Sequence, residues 1–381
     1  MKYSITKLTK TSNENINYIF EHYSSKLKFI INDTYFIKLL YTLIDKAIET
    51  PIEHSLKQTE SNGNIINSSF CSQEIKDYIK NNTFIIYNIE FKIKDAQYNL
   101  FIYSKKKIQI DKYIYFIKLI LGMCSEQATT HNNVFTFKIF LTDFKKTQPT
   151  IPVTPFHINS GVTSYPSDPH ENDCKDIIIF RNEEWFKVFI HECFHLFCLD
   201  FCDVDVSKFK NLFKQMYNIE GEFLFFEALT EFWARTINIA VVSYSTKKNI
   251  LYEEFETLMK INIQIERLYS ILQMKHILSN MGFTYESLLD KTRTTLFKEE
   301  TNFFCYYVLT TLLLFHYEQT IAWFVEHNQT ILQFSKNKNS VLLFFYYIKS
   351  IHKNVNMLKT FESLDKFELT NNYMSVFEIL L

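Results

Sequence analysis

Glycine and proline are scarce in this chain of 381 residues, at 5 and 6. Tight turns are therefore few, which favours long helices with a modest sheet and argues against an all-β architecture. Excess charge of one sign is also missing, since 41 Lys and Arg stand against 42 Asp and Glu. No global field draws in a polyanion, so neither nucleic acid nor an anionic membrane is expected as a partner. The one basic run, Lys105-Lys106-Lys107, reads as a solvated strand end.

A disulfide framework is absent too. The seven cysteines, Cys71, Cys124, Cys174, Cys193, Cys198, Cys202 and Cys305, are odd in number and unevenly spread. That pattern predicts a reducing, cytoplasmic compartment. Residues 1–17 mix Lys, Thr and Asn without an apolar centre, so no secretory signal is expected. The apolar runs 303–315 and 341–348 are shorter than the roughly 20 residues that span a bilayer, and they read as buried helices.

What the chain does have is core material, with 38 Phe, 23 Tyr and a hydrophobic share of 47%, enough for one large or two ordinary domains. Residues 1–80 read as a helical extension, periodic over 35–49 and then polar and loop-like over 55–69. The β-branched and aromatic runs 83–93 and 97–104 flank Lys94-Asp95-Ala96 as a hairpin. A helix is expected at 111–123 and a strand at 134–141. Pro149, Pro152, Pro155, Pro166 and Pro169 exclude regular helix or central strand between them, leaving 158–164 as a short edge strand. A buried strand follows at 176–180, and from Glu183 onward the pattern is helical almost throughout. The sum is an α+β protein with an N-terminal extension (1–80), a mixed lobe (81–205) and a helical lobe (206–381).

Chemistry concentrates in His191-Glu192-Cys193-Phe194-His195. Residues four apart share one face of a helix, so the two imidazoles can converge on a single ion, with Glu192 beside it as a general base. The flanks Phe186, Val188, Phe189, Ile190, Phe194, Leu196 and Phe197 make this a buried helix. A buried, unpartnered carboxylate there costs several kcal/mol, on the order of a whole unsatisfied charge, and a dication removes that cost. Downstream, Glu227 and Glu231 are again four apart among Phe226, Ala228, Leu229, Phe232 and Trp233, and together they face something positive.

The His191-Glu192-x-x-His195 and Glu227-x-x-x-Glu231 pair resembles the gluzincin metallopeptidases, the thermolysin-like clan of zincins. The resemblance implies one Zn2+ bound by His191, His195 and Glu227, with Glu231 orienting His191 in place of the clan's more usual Asp. It implies a zincin-like mixed sheet before the motif helix and hydrolysis of a peptide or protein substrate with Glu192 as base. On the same likeness, 159–163 is the edge strand that pairs with substrate, giving Asn159, Gly161 and Val162 as substrate contacts. Oxyanion donors in the clan are a Tyr or His of the C-terminal lobe; the candidates here are Tyr306, Tyr307, His276 and His316, with Tyr306 put first. The segment 177–201 also resembles uncharacterised proteins of large DNA viruses.

Other assignments stay open. Asp200, Asp203 or Asp205 could supply the third ligand, as in aspzincins. The metzincin extension needs Gly at 198 and His at 201, where this chain has Cys198 and Phe201. Cys193, Cys198 and Cys202 could form a thiolate site, His157 could touch substrate, and the zincin-like frame could be a catalytically silent scaffold for protein partners.

Overall fold

A computed structural model describes residues 7–27, 34–49, 52–63, 66–128, 134–164, 175–364 and 371–381. Its main sheet has six strands: β1 His54–Asn62, β2 Thr83–Ile93, β3 Ala96–Ser104, β4 Val134–Phe140, β5 Gly161–Ser164 and β6 Lys175–Ile179, in the spatial order β1-β2-β3-β4-β6-β5. β3, β4 and β6 run parallel, and β1, β2 and β5 join antiparallel to their neighbours. The architecture is α+β.

The hairpin of β2 and β3 turns at Lys94, whose φ of 53° supplies the left-handed bend of a tight connection. Alternation in β2 buries Tyr87, Ile89, Phe91 and Ile93. Helix Ile110–Gln127 then makes the crossover that parallel pairing of β3 with β4 requires. Phe135, Phe137, Ile177 and Ile179 are buried at the sheet centre, where helices Ile110–Gln127 and Trp185–Leu196 pack against one another. A second, smaller core holds Cys71, Ile75, Ile79, Phe84, Phe140 and Phe180, with helix Gln73–Asn81 over it.

β1 lies mostly within 55–69, where the polar composition predicts a loop. All nine of its residues are exposed, so no hydrophobic period marks it, and its backbone pairing with β2 carries it alone. The proline-rich segment also contains one helical turn, Pro155–Ile158, with Pro155 at the first helical position, where a missing N–H costs nothing. Pro166 and Pro169 lie outside the described residues.

The second half is helical, as its periodicity requires. Helix Phe226–Tyr244 is buried along its whole length, packed on the motif helix and on helices Tyr35–Glu49 and Tyr252–Asn280. A helix buried on every side must pair its polar residues internally, and Glu227, Thr230, Glu231, Arg235 and Asn238 all lie on this one. The N-terminal helices enter the same hydrophobic core through Ile19, Phe36, Ile37, Leu40 and Ile44. The last residues, 371–381, thread between these helices, and Ile379–Leu380 pairs antiparallel with Lys7–Leu8.

Candidate metal centre

The motif helix Trp185–Leu196 is formed by a run of large apolar residues and is buried throughout. It ends in a left-handed turn: Cys198 has φ 51°, its N–H donates to His195 O, and Leu199 N–H donates to Phe194 O at 2.9 Å. This pair of bonds is the usual glycine C-terminal turn, made here by a cysteine at a cost of about 1 kcal/mol. The reversal brings Asp200 back under His195.

Three ligand atoms gather where the motif helix meets helix Phe226–Tyr244. His191 Nε2 lies 3.1 Å from His195 Nε2 and 3.1 Å from Glu227 Oε2, and His195 Nε2 lies 3.3 Å from Glu227 Oε2. These three buried residues form a group able to hold a metal ion. Burial alone would raise the Glu227 carboxyl; His195 and His191 outweigh it and hold it at about 2. The His191 imidazole is pulled down by burial and pushed up more strongly by Glu227 and Glu231. An array that rewards positive charge so strongly is what a buried cation site requires.

Each imidazole is oriented from behind. His191 Nδ1 lies 3.1 Å from Glu231 Oε2, and His195 Nδ1 lies 2.5 Å from Asp200 Oδ2. Glu231 is held in turn by Lys187 Nζ, 3.0 Å from both carboxylate oxygens, and by Arg235 Nε at 2.9 Å. Asp200 accepts from Thr230 Oγ1 (2.8 Å) and from the Cys202 N–H (3.1 Å).

Asp200 is therefore on the opposite nitrogen from Glu227. His195, Asp200 and Cys202 also bring three possible ligand atoms within 4.8 Å of one another, but a 2.5 Å contact between nitrogen and oxygen is a hydrogen bond with no room for an ion between them. Asp203 pairs with Lys336 at 2.9 Å and Asp205 caps Ser207 at 2.9 Å, both at the surface.

Glu192 turns to the edge strand, where Thr163 Oγ1 donates to its Oε2 at 2.8 Å. Burial raises its carboxyl, opposed by His191 and His195. Gly161 is pressed against it: a Cβ there would come within 2.9 Å of Glu192 Oε1 and 2.7 Å of Val188 Cγ1. Asn159 and Gly161 line the cavity beside the centre, and Asn159 Oδ1 also accepts from Thr301 Oγ1 at 2.9 Å. Val162 does not join them. Residues 160 and 162 direct their backbone groups at β6, through Ser160 O to Phe180 N (3.0 Å) and the Val162–Ile178 pairing, so alternation turns Gly161 and Thr163 outward.

Tyr306 reaches the centre from a six-residue π-helical turn, Phe304–Leu309, the kind of irregularity that concentrates at functional sites. Its hydroxyl donates to Glu227 Oε2 at 3.2 Å, and its ring meets the His191 ring edge-on at 5.6 Å. The other oxyanion candidates go elsewhere. Tyr307 donates to Asn372 O at 2.6 Å in the core, His276 contacts Asn280, and His316 packs on Phe315. His157 caps its own helical turn, accepting from the Thr154 N–H at 3.0 Å.

Three further residues belong to the site beyond those expected from the sequence. Asn302 Nδ2 donates to Glu227 Oε1 at 3.1 Å and nothing in the sequence marks it. Lys187 and Arg235 carried a usable signal, each four residues from His191 or Glu231 and so on the same helix face.

A scan of protein-family models, a search of curated proteins and a search of solved structures each find no match to this chain. Among the described residues no helix is long and apolar enough to cross a membrane.

Proposed function

We propose that the protein is a zinc-dependent metallopeptidase of the gluzincin type, with His191, His195 and Glu227 as ligands and Glu192 as general base. The observation that carries this reading is the triangle of ligand atoms, 3.1, 3.1 and 3.3 Å on its sides. Two atoms bound tetrahedrally to zinc at about 2.0–2.1 Å lie about 3.3 Å apart, and a two-His, one-Glu set leaves a position for water. Bound there, zinc would lower the pKa of a water to about 7 and polarise a substrate carbonyl.

The protein groups divide the remaining work. Glu192, fixed by Thr163, takes the proton of the attacking water and passes it toward the leaving amine. Tyr306, with its hydroxyl beside Glu227, is the candidate donor to the developing oxyanion. The outward backbone groups of Gly161 and Thr163 suit antiparallel pairing with an extended peptide, which sets the scissile carbonyl over Glu192. The six described cysteines form no disulfide with one another, in keeping with a reducing intracellular compartment.

Glu192→Gln tests the reading. The variant is expected to keep stoichiometric zinc by metal analysis and to lose about 10²- to 10⁴-fold in peptide hydrolysis. Unchanged turnover would remove Glu192 as the base, and a wild-type protein that takes up no zinc would remove the class. Full zinc retention in Glu227→Ala would strike Glu227 from the ligand set.

A further inference from the structure

One wall of the candidate cleft comes from the far end of the chain. Residues 371–378 cross the interior as irregular backbone held chiefly by side chains of other elements. The Glu184 carboxylate accepts from the N–H groups of Met374 (2.9 Å) and Ser375 (2.9 Å), and Glu266 accepts from Val376 (3.0 Å). The carbonyls of Asn372 and Phe377 accept from Tyr307 Oη and Asn238 Nδ2, each at 2.6 Å. Met374 is thereby fixed, 5% exposed, with its sulfur 3.3 Å from Lys187 Nζ.

Met374 lines the cavity that also touches Gly161, Val188, His191 and Glu192. The volume available in it is about 40 Å³. Room for one water takes roughly 10–15 Å³, so the space beside Met374 is small, on the order of one short side chain, and it opens to solvent on one side. Lys146 and Lys187 are the cations in the wall, and each is paired with a buried carboxylate, Glu184 and Glu231. The pocket therefore has no uncommitted charge with which to recruit an acidic side chain.

We infer that Met374, presented by the C-terminal segment, sets the size limit of the substrate pocket beside the candidate metal centre and restricts it to a small, non-acidic side chain. This inference rests on the metallopeptidase reading. Where Met374 and Val188 bound the pocket, a misfitting methylene costs about tenfold or more in affinity, so the limit is measurable.

The test is calorimetric binding of the hydroxamates of Ala, Val, Leu and Phe to the zinc-loaded full chain, which needs the metal but no turnover. Wild type is expected to bind the Ala and Val compounds at least about tenfold more tightly than those of Leu and Phe. Met374→Ala, or the milder Met374→Val if the first fails to fold, should tighten the Leu and Phe compounds by about the same factor. Met374→Leu, of similar volume, should keep the wild-type order. Zinc-dependent binding with no size preference, or an order unchanged in Met374→Ala and Met374→Val, would overturn the inference and leave the metal assignment standing. No hydroxamate binding at any size would overturn both.

Discussion

Asp200 and His195 form the shortest hydrogen bond of the candidate centre, 2.5 Å between Oδ2 and Nδ1, directly behind the imidazole whose Nε2 faces Glu227 at 3.3 Å. His191 repeats the arrangement, with Glu231 on Nδ1 and Glu227 on Nε2. A carboxylate on Nδ1 fixes the proton there and leaves the Nε2 lone pair for a ligand. Both rings are thus held in the tautomer that presents Nε2 to one common point.

Asp200→Asn follows from this. The amide oxygen can still accept from Thr230 or the Cys202 N–H, but an amide N–H turned toward His195 Nδ1 favours the opposite tautomer. Zinc affinity is expected to fall about 10- to 100-fold, read by competition with a chelator of known affinity. Wild-type affinity in a folded Asp200→Asn protein would show that Asp200 does not orient the ligand.

Gly161 is a second sensitive point because of space. Gly161→Ala places a methyl 2.9 Å from Glu192 Oε1 and 2.7 Å from Val188 Cγ1, so either the carboxylate or the edge strand must move. Neither Glu192 nor the edge strand is in the proposed ligand set of His191, His195 and Glu227. Peptide hydrolysis should drop by about 10²-fold, the scale on which misplacement of a reacting group acts, while zinc content stays at the wild-type value. Joint loss of metal and activity would instead mean that the substitution disrupts the whole centre.

How much of this was legible beforehand depends on range along the chain. The spacings 191–195 and 227–231 repeat within one helical turn, so helix geometry alone places both pairs on their faces. Helix 35–49 and the hairpin strands at 83–93 and 97–104 were likewise marked by their own periods. The misses are non-local or carry no period. β1 is a polar edge strand without alternation. Asp200 reads as a possible ligand from sequence because its return under His195 depends on a left-handed Cys198, which cysteine does not advertise as glycine would. Asn302 and Met374 enter the site from more than a hundred residues beyond the motif helix, where only tertiary packing can bring them.

Glu231 carries a stability prediction. It is fully buried and faces three donors at once, Lys187, Arg235 and His191. Glu231→Gln leaves Lys187 and Arg235 buried without that anion. Removing one partner of a buried ion pair costs on the order of 3–5 kcal/mol, because the remaining charge is left uncompensated. Urea unfolding of the metal-free protein should show a loss of that size. A loss under about 1 kcal/mol would mean that water or a shift of Glu266 replaces Glu231.

Glu299 links the Tyr306 turn to pH. Its buried carboxyl accepts from the Phe304 N–H at 2.7 Å, at the start of that turn, and burial, opposed by this one bond, pushes it up to about 8. A carboxyl whose pKa rises on folding holds its proton longer in the native state, so its contribution to stability is whole below the ordinary range near 4.5. That contribution then falls away as pH climbs to about 8, by on the order of 4 kcal/mol. Glu299→Gln retains an acceptor for Phe304 but has no proton to lose, so its stability should vary far less across this window and exceed that of wild type at pH 8. Parallel denaturation curves for the two proteins from pH 5 to pH 8 would place the source of the pH dependence elsewhere, because the Gln protein has no carboxyl at this position to titrate.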